Sequence, residues 1–199
     1  MAVAIAGGIS GPGRALVEAI SAQKTHEVIV LTRKVSGRPG GAAPNVRFVA
    51  VDYSDVDSLT AVLEKYNVDT VVSTVDNITR ESQSELNLVA AAERSKTTRR
   101  FIPSHFGVPY LPEYGIAFFT IIAKNVASIP DLEDDPDLFT HSNGIARVIA
   151  AYLQSTRWRS KGYTTSDKLM FNDLVHLAED IKGTKFSVAE DPTEDPETV

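Results

Sequence analysis

Four glycines, Gly7, Gly8, Gly11 and Gly13, stand directly behind the apolar run Val3-Ala4-Ile5-Ala6, and Ala15, Leu16, Ala19 and Ile20 then recur at helical spacing. A buried strand, a tight turn and an amphipathic helix in immediate succession form the front of a β-α-β unit, which constrains the rest of the chain more than any other feature. A parallel strand has to follow, because only a crossover through the helix returns the chain to the same sheet edge.

The continuation fits. A second strand is predicted over 26–32, a third over 46–51 after the glycine- and proline-rich stretch 36–44, and a fourth over 69–74. A helix starts at Ser54-Asp55, with side-chain capping, early acids and a stripe of Leu59, Val62 and Leu63. Another runs from about Glu81 to Ser95 and is expected to pack through Leu86, Val89 and Ala90, before a fifth strand, Arg100-Phe101-Ile102-Pro103. The fold class is therefore α/β, a Rossmann-like doubly wound parallel sheet with helices on both faces. Beyond Gly107 the alternation loosens, and the apolar stretch 116–123 carries no periodicity that assigns its type. Two helices follow, one over 143–153 through Ile145, Val148, Ile149 and Tyr152, the other through Phe171, Leu174, Val175, Ala178 and Ile181 and ending at Gly183. One domain is expected over 1–188, with its core over 1–110 and a reduced C-terminal substrate region over 111–188. The acidic, proline-bearing segment 189–199 is expected to be disordered.

In a sheet of this kind the first glycine turn is where a dinucleotide's pyrophosphate meets a helix N-terminus. Gly7, Gly8, Gly11 and Gly13 supply the tight turn and the close approach, but a glycine every third residue from Gly7 meets Ser10 in the middle. The cost of that serine depends on whether its position needs positive φ, and Gly11 beside it can take over the close approach. Pro12 removes one amide and suits the first helical turn. Read alone, the loop is also an ordinary glycine-rich turn. Arg33 and Lys34 stand just past the second strand, where an acid would hold the ribose of NAD. Basic residues there suit the 2′-phosphate of NADP, although the pair by itself is also a plain solvated loop.

The formal charge of −6 over 199 residues argues against a general affinity for nucleic acid, and no apolar run reaches a bilayer's thickness. The absence of cysteine removes disulfides and thiolate metal sites, and with no cleavable leader at Met1 a cytoplasmic location is expected. No metal site is expected. His176 and Glu179, one turn apart, lack a third ligand, and the acidic run 131–137 reads as a solvated turn. Trp158 between two arginines reads as the closure of a helix end.

The stretches AGGISGPGRALVEAI, VIVLTRK, VRFVAVDYSDVDSLTAVL, DTVVSTV and RRFIPSHFGV, followed by AKNVASIPD, LFTHSNGIARVIAAYL and YTTSDKLMFNDLVHLAEDIKGTKFSV, resemble the NmrA-like and isoflavone-reductase-like proteins. These are atypical short-chain dehydrogenases, and the likeness is strongest to fungal members. The resemblance implies that the glycines hold the pyrophosphate, Arg33 and Lys34 the 2′-phosphate, and Ser73 and Thr74 the cofactor's middle. It also implies that Asp52 and Tyr53 border the adenine, and that Pro103, Ser104, His105 and Phe106 lie near the nicotinamide. Three departures stand out: Ser10 for the central glycine, His105 where glutamate is common, and a missing middle segment that normally carries the reductases' lysine. Lys124 aligns with the later segment and does not inherit that role, so the chain resembles a shortened member.

Nor does any tyrosine have a lysine four residues on, the pair that ordinary short-chain dehydrogenases use for proton transfer. His105, just past the fifth strand, is the candidate proton donor, and its alternative is a half-exposed loop histidine. Two functions follow from the resemblance: an NADPH-dependent reductase of a small organic molecule such as a secondary metabolite, or a catalytically silent NADP-sensing regulator that binds a protein partner, with nuclear location then open. A truncated, inactive paralogue is a third.

Overall fold

The computed structural model describes residues 1–35, 43–75, 83–104, 106, 119–121, 126–130, 137–159, 162 and 164–191. The chain divides into two compact units, and the division is discontinuous in sequence: residues 1–106 with 141–162 form one, 107–140 with 163–199 the other.

In the first unit β1 (Ala2–Ala6), β2 (Glu27–Thr32), β3 (Val46–Ala50), β4 (Val68–Ser73) and β5 (Arg100–Ile102) form a parallel sheet in the order β3-β2-β1-β4-β5. The order reverses at β1, so the turns after β1 and β4 open on the crevice where α/β sheets bind their ligands. β1 and β4 are buried along their whole length and β2 along all but its first residue, which is why they read as continuous apolar runs. Alternate residues serve opposite faces. Ala2, Ala4 and Ala6 pack with Ile29, Leu31 and Val71 under α2 (Val56–Lys65) and α3 (Gln83–Arg94), where Leu59, Leu63, Leu88 and Ala91 meet them. Val3, Ile5, Val28, Val30 and Val72 face α1 (Gly11–Ala22) and α4 (Ser142–Tyr152), through Leu16, Ile20, Ala146 and Ile149. Each fully buried Leu, Ile or Val contributes about 1.5–3 kcal/mol. Asp55 caps α2 by accepting from the Ser58 N–H at 3.0 Å, as its sequence suggests.

Two helix faces differ from expectation. On α3, Leu88, Ala91 and Ala92 are buried, whereas Leu86 and Val89 are exposed. Two apolar stripes compete at helical spacing there, and the one holding Leu88 can reach Leu59 and Leu63. On α4, Ala146, Ile149 and Ala150 are buried and Val148 is not. Small alanines face α1 because two helices can approach closely only over small side chains. Beyond α4, Trp158 packs on this core, its ring 5.2 Å from that of Tyr152 and 4.8 Å from the Arg100 guanidinium.

In the second unit β6 (Phe119–Ile121) pairs antiparallel with β7 (Val126–Pro130), and β10 (Ser187–Asp191) pairs parallel with β7. The stretch 116–123 thus contains a strand. Ala189, Glu190 and Asp191, expected in a disordered tail, lie in β10, in register with Ser128, Ile129 and Pro130 of β7; strand pairing is a source of order that composition does not register. β8 (Asp137–Phe139) and β9 (Asp167–Leu169) form a two-stranded ladder ahead of α5 (Phe171–Lys182). Phe171, Val175 and Glu179 make the buried stripe of α5, and Ile181, expected on it, is exposed. Gly183 closes the helix at φ 67°, as anticipated. Among the described residues no helix is long and apolar enough to cross a membrane.

Candidate cofactor site

The glycines after β1 divide their tasks. Gly7 turns the chain at φ 80° and donates its N–H to the Leu31 carbonyl at 3.3 Å, tying the loop to β2. Gly11 has φ 51° and open space where a side chain would stand. Gly13 has no room at all: a Cβ there would overlap the Gly7 carbonyl oxygen and lie 2.5 Å from Thr74 Oγ1. Gly8 serves packing, since a Cβ would press on Val17 and Val30 at 2.9 Å. Ser10 sits at φ −148° and ψ 165°, extended backbone that any residue adopts, so serine there carries no conformational penalty. Its hydroxyl makes no capping bond to α1, and with no acid in the first turn the positive end of the helix dipole faces the loop.

Thr74, at the end of β4, donates both its N–H (2.9 Å) and its hydroxyl (2.7 Å) to the Ala6 carbonyl. Ser73 is fully buried and lies under the crevice, its Oγ 3.4 Å from the Val75 N–H. At the end of β2, Thr32 Oγ1 donates to the Lys34 carbonyl at 3.1 Å, and Arg33 and Lys34 are exposed. Among the described residues neither makes an ion pair.

Asp52 is exposed and accepts from the Ser54 N–H at 2.8 Å and its hydroxyl at 2.7 Å, bonds that hold the carboxyl below its usual range. Tyr53 is buried, its hydroxyl donating to the Leu31 carbonyl at 3.1 Å, and burial pushes its pKa up to about 12. It supports the carbonyl that receives Gly7, and its hydroxyl proton is engaged in that bond. At the end of β5, Pro103 is exposed, Ser104 donates its N–H to Glu85 Oε1 at 2.7 Å, and Phe106 packs half-buried on the α1 face. His105 lies outside the described residues. Sequence reasoning missed Glu85, which holds the β5 end from α3; an acid in a helix's first turn was the only signal.

All these groups belong to the first unit. The cradle fits a dinucleotide: two backbone segments meet where Cβ atoms are excluded, a helix N-terminus opens beside them, and two uncommitted cations stand one strand away. Of the pair His176 and Glu179, the Glu179 carboxylate is engaged by Lys185 Nζ at 2.6 Å and the Phe186 N–H at 2.8 Å. Among the described residues no group of three or more acids and histidines could hold a metal ion.

The comparisons point to the same class of cofactor. A family model described as NAD(P)H-binding matches residues 7–127. The oxidoreductase BOA1 of Botryotinia fuckeliana (strain B05.10) is 30% identical over 233 residues, covering 92% of this chain and 77% of the relative. That matched span exceeds the 199 residues present here, so segments of the relative within it have no counterpart. Among solved structures, AtPrR2 in its apo form superposes with a TM-score of 0.68 at 21% identity, over 96% of this chain and 80% of its own. Leucoanthocyanidin reductase from Vitis vinifera, solved with NADPH, gives 0.65 at 17% identity over 96% and 78%. With a Rossmann-like sheet, a glycine cradle at its first turn and a fungal oxidoreductase as relative, this chain belongs to the NAD(P)H-binding, NmrA-like family of oxidoreductases.

Proposed function

We propose that the chain is an NADPH-dependent reductase of a small organic molecule, a carbonyl or conjugated alkene of the secondary-metabolite kind. The observation that carries the choice of NADPH is the exposed Arg33–Lys34 pair, free of ion pairs among the described residues and beside a glycine cradle. A 2′-phosphate supplies the charge that this pair lacks. In this reading the loop turned at Gly7 receives the pyrophosphate through the amides of Ser10, Gly11 and Gly13, and the free Ser10 hydroxyl adds a donor. Asp52 borders the adenine, Thr74 lies under the cofactor's middle with Ser73 next to it, Gly8 packs the loop onto Val17 and Val30, and Pro103, Ser104 and Phe106 flank the nicotinamide. When bound, NADPH would provide a hydride for the substrate carbon, and His105 would deliver the proton to the substrate oxygen or neighbouring carbon.

A second reading, a regulator that senses NADP and binds a protein, is favoured by one fact: no tyrosine has a lysine four residues on. Calorimetric titration of the chain with NADPH and NADH tests the cofactor assignment. Tight NADPH and weak NADH binding is expected, and Arg33→Ala or Lys34→Ala should each weaken NADPH by about tenfold and leave NADH unchanged. Equal affinity for both cofactors would refute the role of the pair. Consumption of NADPH with a carbonyl panel, slowed by His105→Ala, supports the reductase; tight binding without turnover, together with a co-purifying protein, supports the regulator.

A further inference from the structure

We propose that Thr74 is a positioning residue, a latch that fixes the glycine loop in its ligand-receiving shape before the cofactor arrives. The proposal rests on the dinucleotide-binding reading of that loop. Ala6 is the last residue of β1, and everything the loop does begins at the peptide that follows it. Thr74, 68 residues further on, puts two hydrogen bonds on the Ala6 carbonyl, from N–H at 2.9 Å and from Oγ1 at 2.7 Å. The same hydroxyl oxygen fills the space that side chains would need at two of the loop's glycines: a Cβ on Gly7 would lie 2.8 Å from it, and one on Gly13 2.5 Å. One side chain thus touches the start of the loop, its first glycine and the glycine inside α1.

The rest of the loop offers little of this kind. Ser10 makes no capping bond with its side chain, Gly11 faces open space, and the loop's own bonds are Ile9 N–H to the Gly7 carbonyl at 3.0 Å and Arg14 N–H to the Ser10 carbonyl at 3.2 Å. Rigidity therefore enters from the neighbouring strands, from β2 through the Gly7 N–H on the Leu31 carbonyl at 3.3 Å and from β4 through the two bonds of Thr74. Threonine suits the task because its branched Cβ restricts χ1 and keeps the hydroxyl aimed at Ala6, whereas serine turns more freely and valine sets a methyl against a carbonyl oxygen. A loop held in advance loses less conformational freedom on binding, so the latch acts on affinity for the pyrophosphate half of the cofactor.

The test compares wild type, Thr74→Val and Thr74→Ser by calorimetry with NADPH and with 2′-AMP, which carries the adenine and 2′-phosphate but no pyrophosphate. Thr74→Val should raise the Kd for NADPH about fivefold to tenfold, as loss of one such bond requires, and leave 2′-AMP within twofold. Thr74→Ser should stay within threefold for NADPH. The latch is overturned if Thr74→Val binds NADPH as wild type does, or if 2′-AMP weakens in parallel with NADPH. Hydrogen exchange on the ligand-free wild-type chain gives a reading independent of either variant: the Ile9 and Thr74 amides should exchange slowly, and fast exchange would rule out a preformed loop. Should wild type bind 2′-AMP and NADPH not at all, the cofactor reading itself fails, and the latch with it.

Discussion

At the scale of single residues, the two glycines that flank Pro12 invite opposite expectations. Gly13 lies against the Gly7 carbonyl and Thr74, so Gly13→Ala has to push β1 and α1 apart and should destabilise the chain by about 1–3 kcal/mol while abolishing NADPH binding. Gly11 has φ 51° but open space around it, so Gly11→Ala meets only the backbone strain of about 1 kcal/mol and should keep binding. Urea midpoints and calorimetry on the two variants check the pair, and equal losses would contradict the division of tasks. The sequence places all four glycines where the strand passes into the helix, but does not show that Gly7 and Gly8 make the turn while Gly11 and Gly13 already belong to α1. It is silent on which of them is indispensable, because that depends on Thr74, a residue brought into contact only when β4 pairs with β1. The same ignorance makes Ser10 look like a defect in the sequence, whereas its extended φ of −148° removes the need for glycine.

At the scale of elements, the strands are legible from their continuous apolar runs and the helix faces are not. α3 and α5 each carry more apolar residues than one face needs, and the neighbour that chooses among them, α2 in the case of α3, is invisible to periodicity. The buried stripe of α5 even includes an acid. Glu179 sits there because Lys185 and the Phe186 N–H, just past the helix end, neutralise and bond it. Those bonds, that with Lys185 first, hold the carboxyl below its ordinary value of 4.5. A carboxyl depressed in the folded state stabilises fully above its unfolded pKa, and that contribution disappears as pH falls through the depressed value. Glu179→Gln should therefore be less stable than wild type at pH 6–7, with the gap closing below about pH 4.5. Denaturant midpoints measured across that range check it, and a gap that stays constant would place the effect in packing.

At the scale of the whole molecule, the chain's route matters more than its order of elements. It leaves the first unit at Phe106 and returns at His141, so the helix that covers one face of α1 is supplied from beyond the second unit's first strands. Sequence order suggests a core complete by about residue 110, yet Ala146, Ile149, Ala150 and Leu153 are all buried on the α1 side of the sheet. Burying two large aliphatic side chains and two alanines contributes about 5 kcal/mol, comparable with the entire stability of an ordinary domain. A chain ending at Phe106 should consequently lack a cooperative unfolding transition and bind a hydrophobic dye, although it retains every candidate cofactor residue. A chain ending at Gly162 restores α4 and should unfold cooperatively. NADPH, which binds only the native state, should raise its midpoint, by an amount that grows with the logarithm of ligand concentration. Cooperative folding of the shorter chain would show that α4 is an accessory to the sheet. Its failure beside success of the longer one would show that the cofactor site depends on a helix with which it shares no residue.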